Sequence, residues 1–323
     1  MPMQSFKVSP KEANLRLDKF LALELEQVLS RSAVQRLIDG KKVTVGGKVQ
    51  KASYKVQAGD FIEVEIPPRP VYEITAEKLP LKIYFEDEEV ILLEKPAGMV
   101  SHPAVGHWTG TLVNALLYHF GLEKADEENF RLGLVHRLDK NTSGLLLVAK
   151  TMTAHSQLQK QLKDRTLKRR YQAISWGHLK GKKGLIDLPL GRSPADRKKV
   201  VVTREHSRPA MTEYEVLESF SFSQLLQIAL RTGRTHQIRA HLSHLGHPVF
   251  GDPEYGGREK ALGGIKGEFR QTAARALELI DRQALHAFYL SFLHPVTKEK
   301  LEFFSELPDD FRALLDYLRA LEK

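Results

Sequence analysis

The sequence predicts a chain of mixed helices and strands folded as two domains, and three observations carry that expectation. Apolar runs of strand length, at 145–148 and 224–230, alternate with apolar residues at helical spacing, such as Phe311, Leu314, Leu315 and Leu318. Pro67, Pro68, Pro70 and Pro80 cluster between two self-contained apolar patterns and read as a stiff, extended linker over 67–80. At 323 residues the chain can bury a large core in two parts, 14–66 and 81–323.

In the first part, Leu17, Phe20 and Leu21 share a helical face. Ser30 or Ser32 caps a second helix that carries Val34, Leu37 and Ile38 and closes at Gly40. A strand at 43–45, a Gly46-Gly47 turn and a strand at 61–66 follow. Arg31, Arg36, Lys41, Lys42 and Lys48 against Asp39 leave an excess of four positive charges on this helix-turn-strand corner.

In the second part, residues 83–85 and 90–93 predict a hairpin, and the 109–111 segment caps a helix stopped by Gly121. Two apolar runs, 133–135 and 145–148, predict buried strands around the polar turn His136-Arg137-Leu138-Asp139-Lys140-Asn141-Thr142-Ser143-Gly144. A carboxylate held on a stiff turn between core strands can serve as a reacting group; an ordinary Asx-capped turn is the plainer alternative. A kinase catalytic loop is excluded, because Leu138 separates Arg137 from Asp139 and no Gly-rich phosphate loop or Asp-Phe-Gly accompanies it.

Thr153 opens the next helix, with Leu158 and Leu162 inward and Lys160, Lys163 and Arg165 on the other side. The chain then runs through Lys168, Arg169 and Arg170 into a strand at 171–176, basic residues beside an aromatic that suit an RNA backbone. Alternation puts Tyr171, Ala173 and Ser175 on one face and Ile174 and Trp176 on the other. Residues 192–208 carry six Lys/Arg and read as a basic loop and hairpin, either a second RNA contact or a solvated loop. A strand at 224–230 turns through 231–239 into a helix with Thr235 as N-cap. His241, His244 and His247 invite a zinc reading, but their spacing brings only neighbours together, His247 lies past Gly246, and no Glu accompanies them. Residues 251–257 form a turn-rich loop, 259–266 are expected to be poorly ordered, and Pro308-Asp309-Asp310 opens a terminal helix.

The absence of cysteine excludes disulfides, thiol catalysis and thiolate metal sites. No apolar run approaches a membrane span and the start lacks a secretory apolar core, so a soluble, cytoplasmic protein is expected. Forty-nine Lys+Arg against 40 Asp+Glu give net +9, which favours a polyanionic partner.

The segment from His136 to Gly144 resembles the signature of the RluA-type pseudouridine synthases, with Asp139 at the position of the family's aspartate. Lys95-Pro96-Ala97-Gly98, the Lys168-to-Ala173 context and the 232–239 run match further family motifs in the same order. Residues 16–60 resemble the S4 RNA-binding domain. The resemblance implies an α+β fold with a mixed, mainly antiparallel central sheet and flanking helices, plus a small N-terminal α/β S4-like domain. It implies Asp139, Tyr171 and Arg239 as catalytic residues, Arg239 forming a two-pronged pair with Asp139, and Tyr171 stacking on the base. Arg137 would fill the gap left by a flipped nucleotide, Leu285 would pack over the base, and Arg31, Arg36, Lys41, Lys42, Lys168, Arg169 and Arg170 would bind RNA. Converting uridine to pseudouridine adds and removes nothing, so neither cofactor nor metal is implied. Segments 101–106, 111–117, 251–257 and 281–287 are most similar to the subfamily acting on the large ribosomal subunit. That implies 23S ribosomal RNA as the partner of a monomeric enzyme. Two alternatives stay in view: a non-catalytic RNA-binding protein, and a glycoside hydrolase, which would need a second carboxylate near Asp139.

Overall fold

The structure is a computed structural model that describes residues 3–25, 29, 31–66, 73–103, 107–125, 133–196 and 199–322, the side chains of 31, 32 and 125 excepted. Contacts divide the chain into two compact units, Met1–Val71 and Tyr72–Lys323.

The N-terminal unit contains β1 (Met3–Lys7), α1 (Leu17–Glu24), α2 (Arg31–Asp39), β2 (Val43–Val45), β3 (Lys48–Val49) and β4 (Phe61–Glu65). Its strands form an antiparallel sheet in the order β1-β4-β2-β3. Leu17, Phe20, Leu21, Val34, Leu37 and Ile38 from the helices pack with Val43, Ile62 and Val64 in a core of its own. The Gly46-Gly47 turn has positive φ at both residues, 55° and 76°, the backbone that a two-residue hairpin of matching twist requires. Ser30 lies outside the described residues, and the second helix begins at Arg31.

The larger unit runs β5 (Ile74–Thr75), β6 (Lys82–Glu86), β7 (Val90–Lys95), α3 (Leu112–His119), β8 (Lys124–Ala125), β9 (Ser143–Ala149), α4 (Met152–Lys163), β10 (Lys168–Trp176), β11 (Lys183–Asp187), β12 (Leu190–Arg192), β13 (Val200–Val202), β14 (Met211–Phe220), β15 (Ser223–Leu230), α5 (Gln237–His244), α6 (Glu259–Gly263), α7 (Gly267–Glu278), β16 (Leu285–Leu293), β17 (Lys300–Phe304) and α8 (Asp309–Ala320). The main sheet has the order β11-β14-β15-β10-β16-β9-β7-β6, with β17 also on β16. Only β16 and β9 pair in parallel; the other ladders described in this sheet are antiparallel. The fold is the expected α+β arrangement: a mixed, mainly antiparallel sheet with flanking helices.

Strand alternation sorts the core into layers. On β10, Tyr171 and Ala173 join the cluster that also holds Ile238, Leu242 and Leu285. Ile174 and Trp176 face the opposite cluster, with Phe250, Phe311 and Leu314. On β9, Leu146 and Val148 belong to the first cluster, while Leu145 and Leu147 pack with Ala154 and Leu158 of α4. The parallel contact depends on Gly144. Its φ is +120°, and a Cβ there would lie 2.3 Å from the Ala287 carbonyl oxygen, so only glycine lets these strands meet.

Several expectations need correction. Residues 133–135 do not form a full strand. Leu134 makes an isolated bridge to Val148, and the ladder ends where the His136 ring takes the Leu147 N–H at 3.3 Å. The α4 cap is Thr151, whose hydroxyl accepts from Ala154 N, rather than Thr153. Residues 259–263 are helical, and Ala261, Leu262 and Ile265 pack on the Phe250–Phe311 cluster, so apolar burial orders a segment expected to be loose. No helix among the described residues is long and apolar enough to cross a membrane.

Candidate active site

The polar turn before β9 is held from behind by buried side chains that take its carbonyls. Ser101 Oγ donates to Leu138 O at 3.0 Å. Lys95 Nζ donates to Lys140 O at 3.0 Å and to Pro96 O and Met99 O at 2.7 and 2.8 Å. Arg282 Nη1 reaches Asn141 O at 3.3 Å while its Nε and Nη2 fork onto Asp310 of α8 at 2.6 and 2.7 Å. Gln283 Nε2 donates to Thr142 Oγ1 at 3.1 Å. Lys95 is fully buried, and that burial pulls its ammonium down to about 7 against the attraction of Asp139. The Asp139 carboxylate, 17% exposed, is left facing a cleft of about 420 Å³.

The opposite wall of that cleft is the 231–236 turn and the start of α5. Arg239, buried on the first turn of α5, donates from Nη1 to Asp139 Oδ2 at 3.3 Å. Its two-pronged pair, however, is with Asp252, Nε to Oδ2 at 2.6 Å and Nη2 to Oδ1 at 2.9 Å, and Nη2 also meets Glu254 at 2.5 Å. The expected fork onto Asp139 is therefore a single contact from a guanidinium already anchored elsewhere. Burial opposes the Arg239 charge, but the hydrogen bonds and charges of Asp252, Asp139 and Glu254 more than offset it and raise its pKa. The Tyr255 ring lies 4.8 Å from the guanidinium carbon, a cation–π contact.

His236 was not expected here. It, and not Thr235, is the N-cap of α5, in a left-handed backbone conformation with φ 54° and no side-chain cap bond. The Gln237 side chain ties the turn instead, accepting from Arg234 N and Thr232 Oγ1 and donating to Met211 O. This strained residue sets its ring between Tyr255 and the carboxylate: Nδ1 is 2.9 Å from Tyr255 Oη, and Nε2 is 3.9 Å from Asp139 Oδ1.

Tyr171 and Leu285, both buried, line the same cleft, as does exposed Arg137. Burial raises the Tyr171 phenol, so it stays protonated at neutral pH. The basic trio of β10 is split. Arg169 lines the cleft with Tyr171, whereas Arg170 sits over the Tyr289 ring at 5.1 Å and Lys168 is exposed outside the cleft. In the N-terminal unit Arg36, Lys41 and Lys42 are exposed, Lys42 pairing with Glu65 at 2.6 Å; the Arg31 side chain lies outside the described residues. The 192–208 segment contains the β12–β13 hairpin, with Arg197 and Lys198 outside the described residues. His241 is spent on Thr212 Oγ1 and Leu188 O, both at 2.9 Å.

The profile described as RNA pseudouridylate synthase matches residues 89–244, which carry Asp139, Tyr171 and Arg239. The S4 domain profile matches residues 15–62. Ribosomal large subunit pseudouridine synthase D of Nitrosomonas europaea is 45% identical over 311 residues, 96% of this chain and 86% of that protein. The chain belongs to the RNA pseudouridylate synthase family. It is an RNA pseudouridine synthase, an isomerase, with an S4 domain. The protein of the same description in Escherichia coli (strain K12) is 38% identical, covering 97% of this chain and 93% of the relative. Among solved structures, Human RNA Pseudouridylate Synthase Domain Containing 4 is similar at a TM-score of 0.53 and 27% identity, over 74% of this chain and 93% of that one.

For a synthase of this family, sequence reasoning missed Asp252, Glu254 and Tyr255, which sit in the turn-rich loop. Two acids and an aromatic within four residues, bracketed by Gly251 and Gly256, were the available signal. Nothing in the linear order connects them to Arg239; the fold does.

Proposed function

We propose that this synthase isomerises uridines of the large-subunit 23S ribosomal RNA in the cytoplasm, as a monomer, with Asp139 as the reacting carboxylate. The observation that carries the reading is convergence. Asp139, Tyr171, Arg239 and Leu285 come from four separate segments and line one cleft. The relatives named for the large ribosomal subunit support the choice of RNA.

In this reading the target uridine leaves its stack and enters the cleft, where Tyr171 and Leu285 flank the base. Arg137, exposed at the cleft, occupies the vacated position in the RNA. Asp139 acts at the sugar, either attacking C1′ or taking a sugar proton, as the N1–C1′ bond breaks. The base turns in the cleft, C5 bonds to C1′, the C5 proton leaves and N1 is protonated. Arg239 aims the carboxylate through its Nη1 contact, itself braced by Asp252 and Glu254. The basic residues of the S4 domain (Arg31, Arg36, Lys41 and Lys42), with Lys168 and Arg170 of β10, supply backbone affinity.

A glycoside hydrolase would need a second free carboxylate across the bond. Asp252 and Glu254 are close, but Arg239 engages both. Tritium release from C5-labelled uridine in a large-subunit RNA transcript, with pseudouridine in the product, tests the assignment. Free uracil in place of pseudouridine would sink it.

A further inference from the structure

One half-buried cation in the cleft, Arg169, has no carboxylate partner among the described residues. Of the other arginines there, Arg239 meets three carboxylates, Arg231 pairs with Glu213, and Arg234 donates to Pro209 O at 3.2 Å. Arg137 is exposed to solvent. The Arg169 side chain makes no ion pair or hydrogen bond among the described residues, and its Nε is buried without a partner. A half-buried guanidinium with nothing to neutralise it is costly, and such groups mark places where a ligand completes the site.

Its surroundings favour a negative ligand. The guanidinium packs against Gly233, where a Cβ would stand 3.5 Å from both Nη atoms. His136 lines the same wall, and its Nε2 accepts the Leu147 N–H, so the ring proton sits on Nδ1, a second buried donor without an acceptor. Burial and the Arg169 charge hold His136 neutral, so it adds no competing cation. Arg169 and Tyr171 are two apart on β10 and share its cleft face, beside the proposed base slot. A phosphate would stay with the RNA backbone, where exposed Arg137 and Lys163 stand at the cleft.

We propose that Arg169 is a catalytic residue that receives the negative charge of the detached uracil. The inference rests on the isomerisation reading above. When C1′–N1 breaks, its electron pair goes to the base, and the uracil anion spreads the charge over N1, O2 and O4. When C5 has bonded to C1′, its proton has left and N1 has been protonated, the base is neutral again. The charge therefore exists between the two bonds, and a fixed cation there stabilises the path without binding the neutral substrate more tightly.

The test compares wild type, Arg169→Gln and Arg169→Lys in single-turnover glycosidic cleavage. Large-subunit RNA transcripts made with uridine or with 5-fluorouridine serve as substrates, and RNA affinity and thermal unfolding are measured alongside. Fluorine stabilises the departing anion, so cleavage of that substrate should depend less on Arg169. For uridine, Arg169→Gln should lose about a hundredfold or more in rate, with affinity within about twofold. For 5-fluorouridine the loss should be at least about tenfold smaller, and Arg169→Lys should fall between the other two on both counts. An equal loss on both substrates, a loss residing in affinity, or a Lys variant no better than Gln would overturn the proposal. Should Arg169→Gln unfold, the Lys variant decides by the same ratio. Absence of tritium release by the wild-type enzyme would defeat the functional reading itself, and this inference with it.

Discussion

The two units of this synthase use positive charge in opposite ways. In the S4 domain Arg36, Lys41 and Lys48 are exposed with no ion pair described, and Lys42 pairs with Glu65 while remaining 43% exposed. Such cations are hydrated and screened by salt, and in the proposed function each would add a modest, sequence-blind increment to RNA affinity. In the catalytic unit Arg239 is 4% exposed and locked by Asp252, Glu254 and Asp139. A guanidinium fixed in a low-dielectric wall contributes aim and field strength rather than affinity. Changes in the cleft should therefore move rate with little effect on binding, and changes in the S4 domain should do the reverse.

The sharpest test is Asp139→Asn. Conversion should fall by at least about a thousandfold, since the proposed reacting carboxylate is gone. RNA affinity should stay nearly unchanged, because the proposed phosphate contacts lie elsewhere. Tritium release at the wild-type rate would break the contrast at its centre. Next comes Arg239→Lys, which keeps the charge but cannot hold Asp252 with two prongs while reaching Glu254 and Asp139. A loss of about a hundredfold in kcat with little change in RNA affinity is expected from a carboxylate released by an ångström or so. Rates like the parent's would mean the brace has no catalytic consequence.

Much of this was legible in the sequence because it is local. Strand alternation at Tyr171 and Ile174 named the correct faces, and the helical spacing of Phe311, Leu314, Leu315 and Leu318 named a buried stripe. Gly46 and Gly47 marked a turn whose backbone conformation the chain needed. What stayed hidden is pairwise and distant. Arg239 takes its fork from Asp252, and Arg282 links the Asn141 carbonyl to Asp310, partners that no spacing rule connects. The grouping of Lys168, Arg169 and Arg170 by composition alone ignored the pleat, which sends Arg169 into the cleft and Arg170 to Tyr289. Thr235 lost the N-cap to His236 because Gln237 ties the turn from its other side.

The contrast extends to acid. All 13 histidines lie in the catalytic unit, none in the first 71 residues. His286 bridges Ser143 and Ser305, and burial pulls its pKa from 6.5 to about 4 despite the opposing charge of Glu94. Between those values the unfolded chain binds more protons than the folded one, so stability falls as pH drops from about 6.5 toward 4. His286 alone contributes a loss of up to about 3 kcal/mol over that window. Burial lowers His136, His236 and His241 in the same direction. Urea unfolding at several pH values should show the catalytic unit weakening across this range, and His286→Gln should flatten the dependence. A catalytic unit indifferent to pH there would mean these rings are solvated in solution.

The smallest effect expected belongs to the S4 domain. A chain begun at Val71 retains Asp139, Tyr171, Arg169, Arg239 and Leu285, together with the three clusters that pack the main sheet. It should fold and still release tritium from uridine. Its affinity for large-subunit RNA should drop, and the dependence of log affinity on log salt should become shallower. Lys42 is partly satisfied by Glu65, so at the helix-turn-strand corner Arg36, Lys41 and Lys48 are the described residues left to meet phosphates. At roughly 0.7–0.9 per phosphate contact, three contacts predict a slope reduced by about 2 to 3. Titrating both proteins at several salt concentrations measures this directly. An unchanged slope would move recognition to the catalytic unit, leaving Lys163, Lys168 and Arg170 with the β12–β13 hairpin to carry it. A reduced kcat at saturating RNA would instead mean that the exposed charges help aim the base, and the division of labour between the two units would fail.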